Sequence, residues 1–273
     1  MHPNNIHQED YPFNELIKAH PPLSKFTVQF QDKPSINFND PLALKALNNA
    51  LLVHYYGITP IEYPHGYLLA PVPSRVDYIH HIADEVKAGA KGLDIGCGAT
   101  AIYSLLGASC YNFNMIGSEV SEKSYAFAKA NTKTVPSIDI RLQSDRGSIF
   151  KNIIQKGEYL DFTICNPPFF SSEQEAMKAF QRKAKNLGGD KKHNFSGTAD
   201  ELWCNGGEAL FIKRMIKESI DYKTQVGLFS TLVSQKGHIA RLEKLLTKKQ
   251  ANHYVKSSKI GSKVVHYLFW KFR

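Results

Sequence analysis

The 273 residues carry 34 Lys+Arg against 25 Asp+Glu, a formal net charge of +9, and 42% of them are hydrophobic. That mixture excludes disordered, collagenous and low-complexity chains, which have few apolar residues or a short strict repeat. No window reaches the roughly 18 consecutive apolar residues of a membrane span, and residues 1–13 lack the basic-then-apolar order of a secretory leader, so a cytoplasmic protein is expected. Cys97, Cys110, Cys165 and Cys204 lie far apart without a Cys-x-x-Cys pair, which argues for reduced core thiols over a zinc cage or a disulfide framework; no metal is expected. The pI near 9.2 points toward a polyanionic partner, since Lys and Arg release condensed counterions from phosphates.

The first 85 or so residues hold ten of the thirteen prolines, and prolines break regular elements, so this part reads as an irregular arm with short helices. One helix is well signalled: Asp40 caps it, Pro41 takes its first position, and Leu42, Leu44, Leu47, Leu51 and Leu52 recur near helical period. A second is expected after Pro73-Ser74, carrying Val76, Ile79, Ile82 and Ala83. His80 and His81 on it have no metal partner at useful spacing and read as packing or hydrogen-bonding residues.

From Lys91 onward, short apolar runs alternate with helical stretches, the pattern of βαβ units on a mostly parallel sheet. Strands are predicted at 92–95, 114–118, 138–142, 160–165 and 226–233, with helices near 101–106, 121–132, 148–155, 207–222 and 236–246. Two further β-rich runs, 251–257 and 264–270, are joined closely enough for an antiparallel hairpin. The expected fold is α/β and Rossmann-like, a seven-stranded mostly parallel sheet ending in that hairpin. Residues 1–88 would form a helical and irregular extension, and residues 89–273 the main domain with a basic insertion at about 171–206.

The first strand ends in Asp94, Ile95, Gly96, Cys97 and Gly98, where two glycines let the backbone turn tightly and approach a ligand. Glu119 closes the second strand, 21 residues after Gly98, and an acidic residue there can accept hydrogen bonds from the ribose hydroxyls of a nucleoside cofactor. A third fingerprint glycine is missing after Gly98, although Ala101 is small enough for close helix packing, and this tilts against a dinucleotide. Asp94 fits acceptance of hydrogen bonds near a cofactor's amino-acid portion.

Asn166, Pro167, Pro168 and Phe169 follow an apolar strand, at the sheet edge where open α/β proteins bind ligands. Two prolines fix φ and remove two donors, leaving a stiff corner that presents carbonyl oxygens. The Asn166 side-chain oxygen and the Pro167 carbonyl can accept both hydrogens of an exocyclic NH₂ while Phe169 stacks on its ring. A delocalised aromatic amine is a poor nucleophile, and two fixed acceptors favour the geometry that attacks a methyl sulfonium.

These motifs resemble the Rossmann-like S-adenosylmethionine methyltransferases. Within them the chain is similar to the RlmF family of bacterial large-subunit (23S) ribosomal RNA adenine-N6 methyltransferases, related to eukaryotic enzymes that methylate adenine in RNA hairpins. The segments carrying the resemblance are 39–48 (NDPLALKALN), 71–81 (PVPSRVDYIHH), 93–98 (LDIGCG), 166–169 (NPPF) and 201–208 (ELWCNGGE). It implies S-adenosyl-L-methionine as cofactor, held by Arg75, Gly96, Thr100, Glu119 and Asn166, with a further contact near Arg146 or Gly147. Arg75 suits pairing with a carboxylate.

Lys178, Arg182, Lys183, Lys185, Lys191 and Lys192, around Gly188-Gly189, follow the Asn166 loop and can neutralise phosphates while a base is unstacked. Lys248, Lys249, Lys256, Lys259 and Lys263 are weaker RNA candidates. The reading is an rRNA adenine-N6 methyltransferase acting as a monomer on large-subunit ribosomal RNA, with no membrane partner. A guanine-N2 or protein glutamine methyltransferase offers the same loop a planar NH₂, and a non-catalytic RNA-binding or ribosome-assembly protein is the rival from another class.

Overall fold

The computed structural model describes residues 1–273 except 63–66, 68, 70, 170, 171, 173, 176–205 and 262. The arm holds α1 (Phe13–Ala19), a 3₁₀ turn (Pro21–Phe26), a hairpin of β1 (Thr27–Phe30) and β2 (Lys33–Ile36), α2 (Pro41–Tyr56) and α3 (Val72–Ala83). α2 begins as its sequence predicts: Leu42 N–H donates to Asp40 Oδ1 at 2.8 Å behind Pro41, and Gly57, at φ 62°, ends it in the left-handed region. α3 starts at Val72, three residues before the start expected after Pro73-Ser74, with Pro73 inside its first turn. The hairpin carries no Asn-Gly or Asp-Gly signal, because Gln31 and Asp32 supply its two positive φ values of 49° and 60°.

The main sheet contains β3 (Lys91–Ile95), β4 (Asn114–Glu119), β5 (Ile138–Leu142), β6 (Leu160–Cys165), β7 (Val226–Val233), β8 (Asn252–Ile260) and β9 (Lys263–Lys271), in the order β5-β4-β3-β6-β7-β9-β8. Strands β3 to β7 run parallel, and β9 is antiparallel both to β7 and to its hairpin partner β8. The expected seven-stranded plan is present. Helices α4 (Ile102–Tyr111), α5 (Glu122–Thr132), α6 (Gly207–Glu218) and α7 (Lys236–Lys248) lie between strands, α6 running into a 3₁₀ turn at Ser219–Tyr222.

Alternate residues of the strands feed two cores. Phe162, Ile164, Leu228, Leu232, Tyr267 and Phe269 face the cluster that includes α2, α3 and α4, so the arm shares its core with the sheet. Cys165, Phe229, Val233, Leu268 and Trp270 face the other side, with Ile149, Phe150, Ile153 and Ile154 and with α6 and α7. Gly92 is glycine for a packing reason: a Cβ there would fall inside the Phe162 ring of the neighbouring strand.

The helix predicted near 148–155 does not form. Those residues are turns and bends: Ile153 and Ile154 N–H both donate to Phe150 O at 3.0 Å, and Asn152, at φ 67°, leaves the right-handed helical region in mid-stretch. Glu218 of α6 accepts from the amides of Ile149 (2.9 Å), Phe150 (2.8 Å) and Lys151 (3.0 Å). That carboxylate satisfies the amides that open the turn, which have no local acceptor. Cys97 and Cys165 are buried thiols, Cys110 is half-buried, and Cys204 lies outside the described residues. Among the described residues no helix is long and apolar enough to cross a membrane.

Candidate functional site

The chain order reverses between β3 and β6: β3 leads outward to β4 and β5, β6 leads the other way to β7. At such a switch point the loops leaving the carboxyl ends part and open a crevice. Asp94 and Gly96 leave β3 there, Glu119 leaves β4, and Asn166 leaves β6.

Gly96 sits at φ 66° and is exposed, and a Cβ added to it meets nothing within 4 Å, so the backbone itself faces open space. Cys97 N–H donates to Ser118 O at 2.9 Å, which ties the glycine loop to β4. Gly98 N–H donates to Glu119 Oε2 at 3.0 Å, while Val120 and Ser121 amides donate to Oε1 at 2.8 and 2.9 Å. Glu119 is 4% exposed; burial raises its carboxyl above the ordinary 4.5 against those three amides and the Arg146 charge. Thr100 is half-buried in the same turn. Ala101 follows at φ 47°, fully buried against Cys97, Ala128 and Ile140. Its small side chain gives the close packing expected of it, in a backbone region that costs a non-glycine residue about 1 kcal/mol.

Asp94 is 1% exposed, and Ser104 Oγ donates to its Oδ2 at 3.1 Å while Oδ1 has no partner among the described residues. Burial lifts this carboxyl to about 7, the Ser104 hydrogen bonds oppose the rise, the Glu119 charge adds to it and Arg75 works against it. Arg75, on α3, is half-buried with its guanidinium 5.4 Å from the Tyr103 ring centroid. In the Asn166 corner, Pro167 is buried and Phe169 packs at the edge of the arm-side core. Asn166 Oδ1 is buried and has no hydrogen-bond partner among the described residues.

The sequence-derived residues Arg75, Asp94, Gly96, Gly98, Thr100, Glu119 and Asn166 therefore converge on one end of the sheet. The basic residues Lys178, Arg182, Lys183, Lys185, Lys191 and Lys192 lie outside the described residues. His80 and His81 hydrogen-bond to the Tyr111 and Ser258 hydroxyls at 2.7 and 2.9 Å. Asn131 of α5 carried no sequence signal, yet its side chain accepts from Glu62 N–H at 2.8 Å and donates to Glu62 O and Ala99 O at 3.0 Å. It thereby binds the arm to the glycine loop. Ser104, in the first turn of α4, was equally silent.

Two unpartnered buried oxygens, a partly filled carboxylate and an open glycine backbone fit a nucleoside ligand with donors at both ends. Buried acceptors left empty cost about 1–3 kcal/mol each, which an incoming N–H or O–H recovers. The donor set is oxygen-rich and suits an S-adenosyl amino acid, whose ribose hydroxyls and ammonium are hydrogen-bond donors.

A family model described as RNA methyltransferase matches residues 1–273. The chain is 48% identical over 286 residues to the ribosomal RNA large subunit methyltransferase F of Christiangramia forsetii, covering 100% of both chains. It is 43% identical to the protein of that name from an Enterobacter species, covering 100% of this chain and 94% of that one. Among solved structures, the hMettl16 catalytic domain in complex with the MAT2A 3'UTR hairpin 1 superposes with a TM-score of 0.85 at 27% identity, covering 100% of this chain and 96% of that one. The N-terminal domain of human METTL16 in complex with SAH gives 0.80 at 25%, covering 100% and 99%.

Proposed function

The chain belongs to the RNA methyltransferase family, and from that premise we propose that it transfers a methyl group from S-adenosylmethionine to the N6 amine of an adenine in large-subunit ribosomal RNA. The observation that carries this reading is Asn166 Oδ1, a buried acceptor without a donor among the described residues, on the proline-stiffened corner at the switch point. When bound, S-adenosylmethionine supplies an electrophilic methyl group on a sulfonium.

Everything else is the work of the chain. Asn166 Oδ1 and the Pro167 carbonyl accept the two amine hydrogens, which localises the nitrogen lone pair, and Phe169 holds the ring. No strong base is needed, because the proton leaves after positive charge has developed on nitrogen. Arg75 pairs with the donor's carboxylate, Asp94 with its ammonium, and Gly96, Gly98 and Thr100 line its path. Glu119 already accepts three amides of the about four lone-pair sites a carboxylate offers, so it takes one ribose hydroxyl without losing a backbone contact. Residues 1–88 act as cofactor and RNA lid over the 89–273 transfer domain, supported by the Asn131 clamp and by Ser124 Oγ donating to Tyr67 Oη at 3.3 Å. A ribosomal RNA substrate makes the enzyme cytoplasmic, and one chain carries the whole site, so a monomer suffices.

Incubation with methyl-labelled donor and protein-stripped ribosomal RNA, followed by digestion to nucleosides, is expected to put the label in N6-methyladenosine. Label in N2-methylguanosine, in protein, or nowhere overturns the proposal.

Donor binding is also expected to depend on pH. Asp94 keeps its proton up to about 7, and only its charged form attracts an ammonium. Calorimetric affinity should fall by up to ~10-fold per unit as pH drops below 7. Asp94→Asn should bind weakly with that dependence lost. Wild-type affinity flat from pH 8 to pH 6 would contradict the role.

A further inference from the structure

Helix α6 reaches both sides of the crevice through side chains that the transfer itself does not use. Glu208, in its first turn, is 2% exposed. Its Oε1 accepts Ser234 N–H at 2.6 Å, and its Oε2 accepts Gln235 N–H at 3.4 Å and bonds His238 Nδ1 at 2.8 Å. Ser234 is the first residue past β7 and Gln235 precedes α7, so one buried carboxylate fixes the β7–α7 loop. β7 lies beside β6, on the side away from β3 and β4, and Ser230 Oγ donates to Thr163 O at 2.6 Å. That loop therefore leaves the sheet next to the Asn166 corner and remote from Glu119.

The next turns of α6 face the other way. Arg214 Nη2 donates to Gly147 O at 2.8 Å and to Arg146 O at 3.3 Å. This segment follows β5, beside the end of β4: Gln143 N–H donates to Glu119 O at 2.7 Å, and the Arg146 charge acts on the Glu119 carboxyl. α6 enters from Gly206 at φ 82°, where a Cβ would run into Leu210, so its start is fixed as well.

We propose that Glu208 and Arg214 are positioning residues for opposite partners: Glu208 fixes the wall of the crevice that meets RNA, and Arg214 the wall that meets the methyl donor. One helix then holds the two substrates in register. The assignment rests on the methyl-transfer reading above.

The test varies RNA and donor separately in steady-state kinetics, using an RNA that the wild-type chain methylates, and adds donor calorimetry. Arg214→Ala, at a half-buried position, should raise donor KM and Kd by ~3–10-fold with RNA KM within ~2-fold. Glu208→Gln should raise RNA KM or lower kcat by ~10-fold with donor Kd within ~2-fold. Should Glu208→Gln fail to fold, His238→Ala removes one arm of the same clamp from a partly exposed site, and an RNA KM increase of ~3-fold is expected. Crossed effects, equal effects on both substrates, or wild-type constants in folded variants overturn the assignment. A wild-type chain without transferase activity defeats the earlier reading instead, and the Arg214→Ala calorimetry still decides the donor side.

Discussion

Replacing Asn166 with alanine is expected to lower kcat by about 10²-fold or more while donor affinity changes by much less. The expectation follows from where the lost atom sits. Asn166 Oδ1 is buried and has no partner among the described residues, so it is an acceptor fixed in place by the stiff corner and available to an incoming amine. Removing it leaves the Pro167 carbonyl as the corner's remaining acceptor, and one held N–H no longer forces the nitrogen out of conjugation. The prolines, Phe169 and the β6 hydrogen bonds stay, so the corner keeps its shape and the defect falls on turnover. Single-turnover rates with saturating RNA, beside calorimetry of donor binding, separate the two. A variant within about threefold of wild-type turnover would remove Asn166 from the mechanism.

Asp77→Ala is expected to destabilise the fold by roughly 3 kcal/mol, the cost of stranding several buried donors. Asp77 is 0% exposed on α3, two residues after Arg75. Its Oδ1 accepts His2 N–H at 2.7 Å and Asn5 Nδ2 at 3.0 Å, and its Oδ2 accepts Tyr267 Oη at 3.1 Å. Three parts of the chain, the first residues, α3 and β9, thus meet on one carboxylate. For a chain this long the loss corresponds to a Tm decrease of roughly 6–12 °C. Burial alone would raise the Asp77 carboxyl, but its donors outweigh burial and hold it below the ordinary 3.8. Its stabilisation is therefore present above about pH 4 and lost as pH falls through its depressed value, so the gap between variant and wild type should narrow in acid. Thermal melts at pH 7 and pH 3 measure both; a variant melting within a degree or two of wild type at pH 7 would show that the three segments do not depend on this carboxylate.

The alternation of strand and helix, the Asp40-Pro41 start of α2 and the glycine turn after β3 were legible in the sequence because each is written in neighbouring residues. Glu119 and Asn166 were legible for a related reason: a parallel strand delivers its last residue to one edge of the sheet, so position along the chain already gives position at the site. The turn at Gln31-Asp32 was not, since Gln31 has no preference for positive φ and no glycine accompanies Asp32. Nor was the loss of a helix over 148–155, because it turns on Asn152 taking a positive φ while Glu218, 67 to 69 residues away, holds the amides of residues 149–151.

By itself, then, the sequence determined the order of the main-sheet strands, the cofactor class and the place where the Asn166 corner leaves its strand, all properties of local pattern and strand ends. The tertiary structure alone decided that Asp94 holds its proton to about 7, that Asn131 binds the arm to the glycine loop, and that Asp77 gathers residues from both ends of the chain. Those features depend on burial and on hydrogen-bond partners far apart in sequence, and neither exists until the chain has folded.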